Sequence, residues 1–171
     1  MAAAALAAAV AMSGQATAST RWDVAAVGSV AILPAPQEAK AITAATLYCA
    51  EQKWSFQFRV EPGTVPGGAV APASITVGGE AFALEGRESG GAVFVAVPRD
   101  ILDPLRVAGR MAVEIGDQGW SVSARFSLSG SRVAIDTAAP LCSTVDMSGY
   151  EKLSLSQTGP AQAEAKAILS A

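Results

Sequence analysis

Residues 47–61, LYCAEQKWSFQFRVE, decide the fold. Trp54, Phe56, Phe58 and Val60 alternate with Ser55, Gln57, Arg59 and Glu61. That is a period of two, the pattern of a strand with one buried face and one wet face. Cys49 stands just before it and is one of only two cysteines; the other, Cys142, lies near the far end of the apparent domain. The stretch reads as part of a secreted, β-rich domain clasped by these two residues.

Outward from that strand, the same period recurs. Residues 42–50 form a preceding strand in which Ala45, Leu47 and Cys49 share a parity, with Glu51-Gln52-Lys53 as the turn between. Residues 74–84, SITVGGEAFAL, form a hairpin, because Gly78-Gly79 can supply the two positive φ values of a type I′ turn. That turn pairs Val77 with Glu80 and Ile75 with Phe82, and sets Ile75, Val77, Phe82 and Leu84 on one face. Residues 92–97 are continuously apolar and read as a strand buried on both faces. In residues 111–128, Met111, Val113 and Ile115 precede a Gly116–Gly119 turn. Trp120, Val122, Ala124, Phe126 and Leu128 then alternate strictly with polar or charged neighbours.

Between these strands the chain is punctuated. Residues 21–33 carry one or two short strands interrupted at Gly28-Ser29, and Pro34-Ala35-Pro36 leads into a polar connector over 37–41. Residues 62–72 and 86–91 read as exposed loops rich in glycine. Residues 99–108, RDILDPLRVA, read as a mixed turn or broken helix, because Pro104 opposes a regular helix through the centre. Ser131 offers an N-cap to a short helix whose apolar face is Ile135, Ala138, Ala139 and Cys142, ended or kinked by Pro140. About eight short strands and one short helix predict an all-β domain: an antiparallel β-sandwich, or a small barrel, with a short C-terminal helix.

The chain's 171 residues accommodate one domain and short extensions. The first eighteen carry no charged side chain; an apolar run from Ala2 to Met12 is followed by Ala16-Thr17-Ala18, a small-x-small pattern. It reads as a signal peptide cleaved after Ala18, which places the mature protein in a periplasm or outside the cell. The domain then covers residues 19–146, and residues 147–171 form a partly disordered or helical tail. No other apolar run reaches the length of a membrane span. A net charge of −3 without a basic run argues against nucleic acid and anionic membrane surfaces as partners.

The chemistry-bearing residues are few. Histidine is absent, which removes the commonest general base and the commonest zinc ligand. There is no GxSxG, SxxK or CxxC motif and no metal-ligand spacing, so no catalytic residue, cofactor or metal is assigned. A disulfide between Cys49 and Cys142 is the expected use of the cysteines. Arg99, Asp100, Asp103 and Arg106 form the densest charge cluster, read chiefly as a solvated loop.

Residues 124–142, ARFSLSGSRVAIDTAAPLC, resemble the ending shared by the invasion-associated locus B proteins and the type VI secretion-associated VasI-type proteins. There a strand with an F-x-L-x-G step runs into a short helix and a closing cysteine. The upstream LYCAEQKWSFQFRV is similar to their cysteine, turn and alternating strand; the matching positions are Cys49, Phe126, Leu128, Gly130, Ala134 and Cys142. The early second cysteine pair common in locus B proteins is missing. The resemblance implies an exported β-sandwich and carries over no activity. The opening is also similar to that of periplasmic inhibitors of C-type lysozymes, although the ending is not.

The resulting expectation is a non-enzymatic, exported protein that binds a protein or cell-envelope partner. Its contact surface is expected at residues 62–72, 87–91 or 99–110, with Arg87, Arg99 and Arg106 supplying charge-assisted bonds. An inhibitor of lysozyme or of a protease, and a carboxylate-dependent hydrolase, are the competing classes.

Overall fold

Strand β5 (Lys53–Val60) buries Trp54, Phe56, Phe58 and Val60 and turns its other parity toward solvent, as its alternation requires. It lies in a single ten-stranded antiparallel sheet in a computed structural model that describes residues 19–25 and 29–143. The leader and the tail beyond Ser143 lie outside the described residues. In chain order the other strands are β1 (Asp23–Val24), β2 (Val30–Ile32), β3 (Gln37–Lys40), β4 (Ile42–Ala50), β6 (Val70–Val77), β7 (Glu80–Ser89), β8 (Ala92–Val97), β9 (Arg110–Asp117) and β10 (Trp120–Ser127). They pair in the order β1-β2-β4-β5-β8-β7-β6-β9-β10-β3.

That order curls the sheet. β3 pairs with β10 near one end of the series, while β4, one residue further along the chain, pairs with β5 near the other. Ala41 makes the corner at φ 65°, and its carbonyl accepts from Glu61 N–H at 2.8 Å. The architecture is therefore all-β with one curled sheet, not two separate stacked ones, and a short C-terminal helix, α2 (Ser131–Ala138). Its interior holds Phe56, Phe58 and Phe126, with Phe56 and Phe58 stacked at 5.4 Å between ring centroids.

The hairpin over β6 and β7 takes the register its Gly-Gly turn dictates: Val77 opposite Glu80 and Ile75 opposite Phe82. Gly78 and Gly79 have φ 59° and 94°. Glu51 and Gln52 make the β4–β5 turn with φ 49° and 65°, values that non-glycine residues adopt at a cost.

Several local expectations are corrected. Residues 37–40 are strand, not connector: all four are exposed, so no apolar alternation marks them, and pairing with β10 holds them. Residues 86–89 continue β7, and only Gly90-Gly91 turns. Strand β6 begins at Val70 and includes Pro72, whose missing N–H falls just beyond the β6–β9 ladder, which ends at Ala73. Strand β8 is buried on one face: Ala96 is exposed and Phe94 half-buried, since the outside of a curled sheet is wet. Residues 99–107 are ordered, as a 3₁₀ turn (Arg99–Ile101) running into helix α1 (Leu102–Val107). Pro104 lies in the first turn of α1, where its N–H would lack an intrahelical partner anyway. Gly130, at φ 84°, caps α2 in place of Ser131, whose buried hydroxyl donates to the Leu105 carbonyl at 2.6 Å.

Cys49, at the end of β4, and Cys142, in the 3₁₀ turn Ala139–Ser143, form a disulfide with Cα atoms 5.1 Å apart. Ser29 holds the same strand end: its hydroxyl donates to the Cys49 carbonyl at 2.6 Å, and Cys49 N–H donates to its carbonyl at 3.0 Å. The bridge closes 93 residues, for which loop-closure entropy gives about 4 to 5 kcal/mol.

Candidate functional site

Strand β8 ends at Val97, and Pro98 hands the chain to the 3₁₀ turn and α1. Ile101, Leu102 and Leu105 are buried there, so the segment is fixed by packing. Its polar side chains, together with Trp54, Leu102 and Cys142, line a cleft of about 270 Å³. Arg99, Asp103 and Arg106 all reach this cleft.

The two arginines differ in what they face. Arg106 donates through Nε to Asp136 Oδ1 at 2.9 Å and through Nη1 to Asp103 Oδ1 at 3.0 Å. Its side chain is only 25 % exposed, and it ties α1 to α2. Arg99 is exposed and makes no ion pair among the described residues. Arg87, the third predicted contact, sits elsewhere, on β7 opposite Phe94, with Glu85 at 3.9 Å. The predicted contact set therefore divides into one open cation, one structural tie and one distant strand residue. Arg110, from the same predicted segment, lines a separate hollow of about 250 Å³ with Arg125, Gly78 and Gly79.

The loop before β6 has an anchor that its composition concealed. Glu88 Oε1 accepts from Gly91 N–H at 2.9 Å, and Oε2 accepts from Gly68 N–H at 2.6 Å. The bonds from Gly91 and then Gly68 hold this carboxyl below its ordinary value of 4.5. Thus the predicted contact segments 62–72 and 87–91 are joined to each other by one side chain. Asp136 was equally hidden: thirty residues separate it from Arg106, and only the packing of α1 on α2 brings them together.

Among the described residues no three His, Cys, Asp or Glu side chains cluster as metal ligands, and every buried side-chain polar atom has a partner. No helix among them is long and apolar enough to cross a membrane. Comparison with protein-family models, curated proteins and solved structures finds no match to this chain.

Proposed function

We propose that this chain is an exported binding protein that takes an acidic group of a protein or cell-envelope partner at Arg99, and that it acts by binding and not by turnover. The observation that carries the reading is the state of Arg99: exposed, unpaired among the described residues, and lining a cleft from a turn whose following residues are buried. A guanidinium so placed can make two parallel bonds to a carboxylate or phosphate without first breaking an internal pair. The intramolecular Cys49–Cys142 bridge favours an oxidising compartment and so supports export, as does the leader read in the sequence.

The test is crosslinking in the native compartment with the full chain. A defined partner should be captured, and Arg99→Glu should abolish capture while leaving the thermal midpoint unchanged. Purified protein should hydrolyse neither peptidoglycan, ester nor peptide substrates. Turnover removed by a single Asp or Glu substitution would establish the carboxylate hydrolase instead. Capture indifferent to Arg99→Glu would remove the cleft from the reading.

A further inference from the structure

Strand β7 is paired with β6 from Glu80 to Arg87 but with β8 along less than half of its length. The β7–β8 ladder runs from Ser89 opposite Ala92 to Gly86 opposite Val95 and stops. Val97 of β8 remains paired with Trp54 of β5, so the sheet splits between β7 and β8. Residues 81–85 of β7 are left without a ladder partner on that side among the described residues.

The direction of the free groups follows from the hairpin. A two-residue type I′ loop makes Val77 and Glu80 a hydrogen-bonded pair, and alternation extends that role to Phe82 and Leu84. The N–H and C=O groups of Ala81, Ala83 and Glu85 therefore point away from β6, into the split. All three residues are exposed, and two carry only a methyl group, so a neighbouring backbone can approach. Phe82 and Leu84, of the other parity, pack against the core yet stay half-buried. A free edge of this kind is a template for another strand.

We propose that the strand it takes is the same edge of a second copy, running antiparallel about a two-fold axis at Ala83. The run Ala-Phe-Ala-Leu-Glu is self-complementary in that register. Ala83 meets Ala83 of the second copy, Phe82 meets its Leu84, and Ala81 meets its Glu85. Small residues face small ones, the two half-buried apolar side chains face each other, and no two like charges are opposed. All three free residues on each side become hydrogen-bonded pairs. A register shifted toward Glu80 would set Leu84 against a carboxylate; one shifted the other way would require Arg87, which is already paired with Phe94. The proposal is independent of the Arg99 cleft. Five residues of edge make a small interface, so association is reversible and depends on concentration.

Sedimentation of the full chain over a concentration series tests it. The wild type should move from monomer to dimer as concentration rises. Ala83→Lys, which sets two ammonium groups opposite each other across the axis, should weaken dimerisation about tenfold or more. Ala83 makes no bond to β6, so the fold and its thermal midpoint should survive the change. Ala83→Cys should crosslink to itself under mild oxidation in proportion to the dimer present, while Arg87→Cys should not. A wild type that stays monomeric at every concentration overturns the proposal, even if the edge proves to bind a different protein. So does a dimer indifferent to Ala83→Lys.

Discussion

Phe58 on β5 and Phe126 on β10 meet with ring centroids 6.2 Å apart, although β8, β7, β6 and β9 lie between their strands in the ladder. The contact crosses the interior of the curled sheet, and both side chains are at most 1 % exposed. Each is therefore a measure of how tightly the curl is packed. Phe58→Ala and Phe126→Ala should each cost about 3 to 5 kcal/mol. The double variant should cost less than the sum, with a coupling of about 0.5 to 1.5 kcal/mol if the rings interact as a pair. Substituting Ser123 or Gln57, on the outer parity, should stay within about 0.5 kcal/mol. Urea midpoints of the five variants check all of this, and strict additivity would mean that the rings do not meet.

Gly86 tests the curl from another side. A Cβ built there would stand 2.9 Å from both Ile115 Cγ2 and Val93 Cγ1. Val93 is on the adjacent strand β8, but Ile115 is on β9, which does not pair with β7. The missing side chain lets β7 lean inward where its ladder to β8 ends. Gly86→Ala should destabilise by about 1 to 3 kcal/mol through overpacking. Gly63→Ala, with no atom within 4 Å of its added Cβ but φ 77°, should cost only its backbone strain. Equal temperature shifts for the two would show that packing at Gly86 has slack.

These cases show which parts of the fold were legible in the sequence. Strands β5, β9 and β10 declare themselves because one face is dry and the other wet, and the β6–β7 register follows from Gly78-Gly79. Strand β3 does not, since neither of its faces is buried and nothing in Gln-Glu-Ala-Lys records a backbone ladder. Gly86 looked like the start of a loop because a glycine needed for close packing and one needed for a turn are the same letter. The arginines of the cleft were visible as a charge cluster. Which of them is free was not, because the answer depends on Asp136, held opposite by tertiary packing alone.

The acid limb of stability should depend on Glu88. Its carboxyl titrates below the ordinary value in the folded chain because Gly91 N–H and then Gly68 N–H bond to the charged form. A lowered folded value means that the contribution is present above the unfolded value, near 4.5, and is lost as pH falls through the folded one. Glu88→Gln should therefore lower stability at neutral pH, and its stability should fall less on acidification than that of the wild type. Denaturation midpoints measured from about pH 7 down to about pH 3 give the comparison. Hydrogen exchange at Gly68 and Gly91 should quicken in the variant. Parallel pH profiles would deny Glu88 the anchoring role.

Arg99 and Arg106 reach one cleft, yet charge reversal should destabilise the protein only at Arg106. Arg106 answers Asp103 and Asp136 from a position only one quarter exposed. Arg106→Glu would gather three carboxylates where α1 packs on α2, leaving two of them facing a like charge. Its stability should fall, and the fall should shrink at high salt and at low pH, where the repulsion is screened or titrated away. Arg106→Met keeps the packed stem and removes the charge, so it should be milder than Arg106→Glu. Arg99→Glu breaks no pair and, as an exposed substitution, should stay within about 0.5 kcal/mol of the wild type. The difference determines how binding is tested: lost capture in an Arg106 variant reports on the α1–α2 joint, whereas lost capture in Arg99→Glu reports on recognition. Thermal melts of the three variants, at low and high salt, should be taken before any capture experiment. If Arg99→Glu melts as early as Arg106→Glu, Arg99 belongs to the scaffold, and the cleft loses its open cation.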